Sequence, residues 1–189
     1  MSNGSLRLAE PRDFGSIAEL TNEFIRRTAV HFGAQPVTAA ELEDLWRGKQ
    51  ERYPWLVAEC EDQFAGYAKA GTWRERAAYA WTAETTIYMV ERFRGRGVGK
   101  RLYRRLIDLL HAQGFRSLIG GITLPNDASV GLHEELGFVS IGVVADAGFK
   151  FGRWHDVGFW QKRLVRDAEA QPGPILAPAV AWQTLAALD

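Results

Sequence analysis

Residues 91–101 read ERFRGRGVGKR, in which Gly95, Gly97 and Gly99 are spaced by Arg96 and Val98 and flanked by Arg92, Arg94 and Lys100. Glycines at alternate positions permit left-handed backbone and a close approach to a ligand. After them Val98, Leu102, Leu106, Leu109 and Leu110 recur at the period of an amphipathic helix, which Gly114 closes. Before them TAETTIYMV (82–90) is rich in β-branched residues and predicts a strand. The chain must therefore build a strand-to-helix junction whose uncovered backbone N–H groups favour an anion.

The spacing narrows which anion. A P-loop needs Gly-x-x-x-x-Gly-Lys followed by Ser or Thr, but Arg94 and Arg101 break both ends of that pattern. A dinucleotide fingerprint needs a third glycine where Lys100 stands. What remains is Arg94-x-x-Gly97-x-Gly99, suited to a pyrophosphate held by backbone N–H groups with basic side chains at the rim. A glycine turn with a merely solvated basic rim is the other reading. With 23 basic and 23 acidic residues in 189, the net charge is zero, so a nucleic-acid partner is not expected and any anion site is local.

Other elements follow from periodicity. Leu6 and Leu8 alternate in a short strand. A helix carrying Ile17, Leu20, Phe24 and Ile25 follows Pro11 and Asp13, and a second starts at the Thr38/Glu41 capping box. WLVAEC (55–60) and FAGYAKAG (64–71) predict a hairpin, and Ser117–Ile122 a further strand. Asn126 or Asp127 caps a short helix stopped by Gly137. Residues 138–144 and 157–164 close the sheet around a turn-rich AGFKFGRW, and from 166 an Ala/Pro-rich segment reads as a tail. The expectation is one α/β domain over 1–165 with a tail over 166–189. One cysteine, no apolar N-terminal run and no membrane-length stretch make the cytoplasm the expected compartment.

The Arg-x-x-Gly-x-Gly turn resembles the acetyl-coenzyme A pyrophosphate loop of the GNAT acetyltransferase superfamily, and NDASVGLHEELGF (126–138) resembles its next block. YPWLVAE (53–59), WTAETTIYM (81–89), LPNDASVGLHEELGF (124–138) and GFKFGRWHDVGFWQ (148–161) are similar to the superfamily's phosphinothricin N-acetyltransferase branch, the herbicide-resistance branch, over about residues 5–163. The resemblance implies a GNAT fold, a mixed α+β sheet of six or seven strands flanked by about four helices. It implies acetyl-CoA as co-substrate, held by Ile87, Tyr88, Met89, Arg92, Arg94, Gly95, Arg96, Gly97, Val98, Gly99, Lys100, Asn126 and Ser129. It implies a homodimer without nucleic-acid or membrane partners.

Acetyl transfer to an ammonium requires a base. Glu84, in a strand rich in β-branched residues, falls at the family's acidic base position, and a carboxylate solvated or paired with Arg74 or Arg76 is the alternative. The resemblance implies His133 as a second proton acceptor or shuttle, against a packing role. Tyr88 is a candidate acid for the leaving thiolate, or simply core, and backbone N–H groups near Tyr88 and Met89 are candidates for an oxyanion hole. Phe32, Arg74, Arg76, Tyr79, Ile122 and Thr123 are expected to line the acceptor site, with Thr123 standing where the family usually has glycine. Phosphinothricin is the expected acceptor, with methionine sulfoximine or sulfone as alternative and a non-catalytic acyl-CoA sensor as the competing class. Lone Cys60 argues for direct transfer, and His31, His111 and His155 lack metal-ligand spacing, so no metal is expected.

Overall fold

A computed structural model describes residues 4–165 and 171–187. The chain runs β1 (Leu6–Leu8), α1 (Phe14–Arg27), α2 (Ala39–Arg47), β2 (Trp55–Cys60), β3 (Gln63–Thr72), β4 (Thr82–Met89), α3 (Val98–Gln113), β5 (Ser117–Thr123), α4 (Asp127–Glu135), β6 (Val139–Lys150), β7 (Arg153–Arg163) and α5 (Pro178–Ala186). The strands form one sheet in the order β1-β2-β3-β4-β5-β7-β6. Its neighbours are antiparallel except β4 and β5, which are parallel. This is the mixed seven-stranded sheet expected from the sequence.

Local signals set the helix starts. Thr38 Oγ1 accepts from Glu41 N while the Glu41 carboxylate accepts from Thr38 N, the reciprocal box that the Thr-x-x-Glu spacing predicts. Asp13, just before α1, accepts from Glu10 N and pairs with Arg7 at 2.7 Å, tying β1 to the helix entry. Each face of the sheet has its own core. On one, α1 and α2 bury Phe14, Ile17 and Leu20 against Trp55, Val57, Tyr67 and Tyr88. On the other, α3 buries Leu102, Leu106, Leu109 and Leu110 against Leu56, Ala58, Ala68 and Leu118. The alternating strand pattern divides the two sets.

The sheet opens along one seam. β4 and β5 pair only from Thr82/Ser117 to Glu84/Ile119. β5 continues to Thr123 on β7 alone, and β4 continues to Met89 on β3 alone. The seam therefore parts immediately after Glu84.

Two expectations need correction. The stretch AGFKFGRW is mostly strand, since β6 and β7 pair up to Lys150/Arg153 and turn only at Phe151 (φ 50°) and Gly152 (φ 75°). Its glycines suggest a loop, but a Cβ at Gly148 would come within 2.4 Å of the Phe32 ring, so that glycine serves packing within a strand. The segment expected to be a tail contains α5, whose fully buried Ala181 and partly buried Trp182 and Leu185 pack on the core covered by α3. Its apolar residues, three of them alanine, surround the helix and leave no period to read. The expected boundary at 165–166 abuts residues 166–170, which lie outside the described residues.

Candidate active site

The register of β4 fixes which backbone groups face the open seam. Antiparallel pairs alternate between hydrogen-bonded and non-hydrogen-bonded. Val90 N donates to Ala65 O, so in the unbroken β3–β4 register the pairs Tyr88/Tyr67, Thr86/Lys69 and Glu84/Gly71 exchange backbone bonds as well. The N–H groups of Ile87 and Met89 therefore point away from β3, toward the seam that β5 has left. The N–H of Tyr88, one of the expected oxyanion donors, is directed at β3 instead. Ile87 N–H and Met89 N–H are the strand donors available to a thioester or its pantetheine arm.

The glycine turn lies at the end of that strand. Gly95 and Gly97 have φ of 71° and 80°, left-handed values that favour glycine, and Gly97 is the N-cap of α3 with no side chain capping the first turn. The first N–H groups of α3 are thus uncovered and directed at an anion, as the spacing predicts. Gly99 acts through packing, since a Cβ there would lie 3.1 Å from Met89 Cγ and its absence lets α3 approach β4. The basic rim is not free. Arg92 donates to Gln63, Arg96 pairs with Glu61, Lys100 with Glu135, and Arg94 Nε donates to Met89 O at 3.0 Å. The two ion pairs are exposed, where such pairs contribute little, so a phosphate can replace the carboxylates at small cost. These features fit an acyl-coenzyme A pyrophosphate.

An open cleft of about 200 Å³ adjoins the seam. His31, Phe32, Glu84, Thr86, Ile122, Thr123 and Asn126 are among its walls. Glu84 is half-buried, and no hydrogen bond or ion pair holds its carboxylate among the described residues. Burial pushes its pKa up, against the pull of the Lys69 and Arg74 charges. A Cβ on Gly121 would come within 3.6 Å of Glu84 Oε1, so β5 leaves the carboxylate uncovered there.

His133 and Ser129 line the same cleft as Glu84, but His133 reaches it from the other face of the sheet, through the parted seam. Thr85 Oγ1 lies 2.6 Å from Tyr103 Oη, which lies 2.9 Å from His133 Nε2, and His133 Nδ1 lies 2.7 Å from Ser129 O. Since a carbonyl only accepts, Nδ1 carries the proton and Nε2 accepts from Tyr103. The ring packs edge-on to Tyr103 and Phe138, and burial lowers its pKa. Gly120 makes room for it, because a Cβ there would meet Nε2 at 2.5 Å. The adjacent glycines of β5 thus face opposite sides of the sheet: Gly120 must clear His133, whereas Gly121 adjoins Glu84 at ordinary contact distance. A glycine pair inside an apolar strand is the sequence signal for such close approaches.

The remaining expected residues separate. Ile122 and Thr123 are buried and line the cleft, and Phe32 lines it from the α1–α2 loop while packing near His155. That loop is held by Lys150, whose Nζ donates to Ile25 O and His31 O at 2.6 Å each. Tyr88 is buried against Phe24 and Tyr67, and burial pushes its phenol pKa far up. Arg74 is exposed, lies over the Trp73 ring and acts on Glu84 through its charge. Arg76 and Tyr79 are exposed on the β3–β4 connection, outside the cleft lining. Asn126 Oδ1 caps α4 at Ser129 N. Cys60 is buried in the α3-side core. Lys69, Val30 and His31 were not anticipated; a lysine inside the apolar run FAGYAKAG is the signal for the first.

Residues 6–158 match the family model described as an acetyltransferase (GNAT) domain. The chain is 44% identical over 167 residues to a phosphinothricin N-acetyltransferase of Streptomyces viridochromogenes, covering 88% of this chain and 91% of that protein. It is 33% identical to an L-methionine sulfoximine/L-methionine sulfone acetyltransferase of Salmonella typhimurium, covering 89% and 98%. The fold matches a crystal structure of a phosphinothricin acetyltransferase from Sinorhizobium meliloti in complex with acetyl-CoA at a TM-score of 0.86 and 33% identity, covering 91% of this chain and 94% of that one. The uncapped glycine turn, the parted seam and these likenesses agree: the chain belongs to the GNAT acetyltransferase family, as an acetyl-CoA-dependent acyltransferase.

Proposed function

We propose that the protein acetylates the α-amine of phosphinothricin, with Glu84 as general base and no acyl-enzyme. The carrying observation is Glu84 itself, a half-buried carboxylate without a partner at the point where β4 and β5 part. Its carboxylate takes one proton from the acceptor's ammonium. The freed nitrogen lone pair attacks the thioester carbonyl, whose oxygen is met by one of the two seam-facing N–H groups, Ile87 or Met89; these lie two residues apart on the strand, which leaves the other for the pantetheine arm. As the C–S bond breaks, its electron pair goes to sulfur, and the second amine proton passes to the thiolate to give the free thiol. Glu84 then returns its proton to water. Both ring nitrogens of His133 are engaged, so a shuttle role would cost a buried hydrogen bond, and in this reading the ring ties α4 to Tyr103 of α3.

Acetylation removes the acceptor's positive charge; the resemblance to the phosphinothricin branch carries a role in herbicide resistance with it, and the 44% identical phosphinothricin N-acetyltransferase supports that acceptor. Methionine sulfone or sulfoximine, with a similar tetrahedral, oxygen-bearing side chain, is the second reading, favoured by the 33% identical relative. We further propose a homodimer through β6 and β7, supported by the exposed Val139, Ile141, Val143, Phe149 and Trp154. A cytoplasmic location is supported by a single, unoxidised cysteine, and among the described residues no helix is long and apolar enough to cross a membrane. Thiol release from acetyl-CoA, measured with phosphinothricin, methionine sulfoximine, methionine sulfone and a polyamine, tests the reading. The highest kcat/KM is expected with phosphinothricin, and turnover confined to the polyamine overturns it.

A further inference from the structure

We infer that Lys69 is the anchor for the acceptor's α-carboxylate, so that Glu84 and Lys69 together grip an amino-acid zwitterion across the open cleft. This rests on the amine-acetylating reading above and specifies the class of acceptor.

Lys69 sits on β3 opposite Thr86, and Glu84 sits on β4 opposite Gly71. All four side-chain positions share one face of the sheet, which makes Lys69 and Glu84 diagonal neighbours. Position 71 carries no side chain, and a Cβ there would meet nothing within 4 Å, so space is left beside both charged groups. The Lys69 ammonium lies 4.4 Å from the centroid of the Trp55 ring, and no carboxylate or carbonyl within bonding distance holds it among the described residues. A cation–π contact offsets only part of what an enclosed ammonium loses in hydration. Burial accordingly pushes its pKa down to about 8, which still leaves it mostly charged at neutral pH. Lys69 is not itself in the cleft lining, but its charge acts on Glu84 and on His31, which are, so it borders the cleft behind them.

An unpaired cation and an unpaired anion whose strand positions are one diagonal step apart can be bridged by a ligand that carries both complementary charges, the flexible lysine stem swinging from Trp55 toward it. An α-amino acid does so. Its ammonium and carboxylate are one carbon apart, and each forms a charge-assisted hydrogen bond of about 2.8 Å. The acceptor's side chain begins at the same carbon and extends past this pair, so a distal phosphinate or sulfone is not the group that Lys69 meets. Lys69 would then bind the carboxylate and hold the amine over Glu84, which explains why a strand otherwise apolar at its centre carries a lysine.

The test compares Lys69→Met and Lys69→Arg with wild type on three acceptors: phosphinothricin, the amine that remains when its α-carboxylate is removed, and methionine, which keeps the α-carboxylate without the phosphinate. Lys69→Met is expected to raise KM ten- to a hundredfold for phosphinothricin and methionine and to change it less than threefold for the decarboxylated amine. KM for acetyl-CoA should not move, which marks the variant as folded, and Lys69→Arg should recover part of the loss. Equal losses on all three acceptors, or a loss confined to the two that carry a phosphinate, overturn the inference. A wild type that acetylates methionine but not phosphinothricin overturns the proposed substrate while leaving the Lys69 comparison to be read on methionine. A wild type that acetylates only the decarboxylated amine overturns both.

Discussion

Glu84 and His133 illustrate how one residue's surroundings decide its chemistry. They lie beside neighbouring glycines of β5, His133 at Gly120 and Glu84 at Gly121, yet among the described residues Glu84 is half-buried and unbonded, whereas His133 is buried with both ring nitrogens occupied. Glu84→Gln keeps the shape and removes the basicity. It is expected to lower kcat by about 10²- to 10⁴-fold with KM for acetyl-CoA unchanged, and the residual rate should climb with pH as free amine becomes available. A folded Glu84→Gln protein with near-normal kcat at neutral pH rules the base assignment out. His133 makes a different prediction. Its folded pKa lies below the usual 6.5, so as pH falls below about 6.5 the unfolded chain takes up a proton that the folded one resists. Stability is lost in that direction, with half-buried His31, also lowered by burial, adding to the loss. Thermal melting from pH 7.5 to 5.5 should show Tm falling, and His133→Gln should start from a lower Tm but fall less steeply; parallel slopes would refute the linkage.

Among the elements, the glycine turn is the most legible in the sequence because its spacing is a direct statement about backbone geometry. What the letters do not show is that its glycines act differently. Gly97 needs its left-handed φ of 80° but has open space around it, whereas Gly99 needs room against Met89. Gly97→Ala should therefore distort the first turn of α3 and raise KM for acetyl-CoA through misdirected N–H groups. Gly99→Ala should instead push α3 off β4 and cost stability before affinity. Affinity measured by isothermal titration beside melting curves separates the two, and identical profiles for both variants would show that the distinction is false. The helices and most strands are readable from their periods. The β4–β5 seam is not, since it depends on β5 exchanging β4 for β7 partway along its length, a long-range pairing with no local signature. The sidedness of Glu84 and His133 follows from that pairing and is hidden with it. α5 escapes a sequence reading for a compositional reason, its alanines giving no stripe to detect.

At the scale of the whole molecule the sheet is unevenly covered. β1, three residues long, is one edge, and β6 is the other; every position of β6 from Val139 to Gly148 except Gly148 itself is exposed, including Val139 at 63% and Val143 at 55%. Phe149, Phe151 and Trp154 extend the apolar surface at the hairpin end. Natural edge strands are usually guarded by charge, proline or bulges, and the irregularities after Ser140 and Val144 bend this one without making it polar. A contiguous apolar patch of this kind marks an interface. The same hairpin holds the acceptor loop, because Lys150 bonds Ile25 O and His31 O and the Phe32 ring rests against Gly148. In the proposed dimer, association and acceptor binding would thereby be mechanically linked. Wild type is expected to sediment as a dimer at micromolar concentration, and Val143→Asp to shift it toward monomer by placing an unpaired charge in the interface. Because the loop depends on the hairpin, the monomeric variant should show a KM for the acceptor raised severalfold while KM for acetyl-CoA, bound at the distant glycine turn, stays near wild type. A wild type that is monomeric under these conditions would refute the interface, and a monomeric Val143→Asp with unchanged acceptor KM would show that the loop is held by Lys150 and Phe32 packing alone.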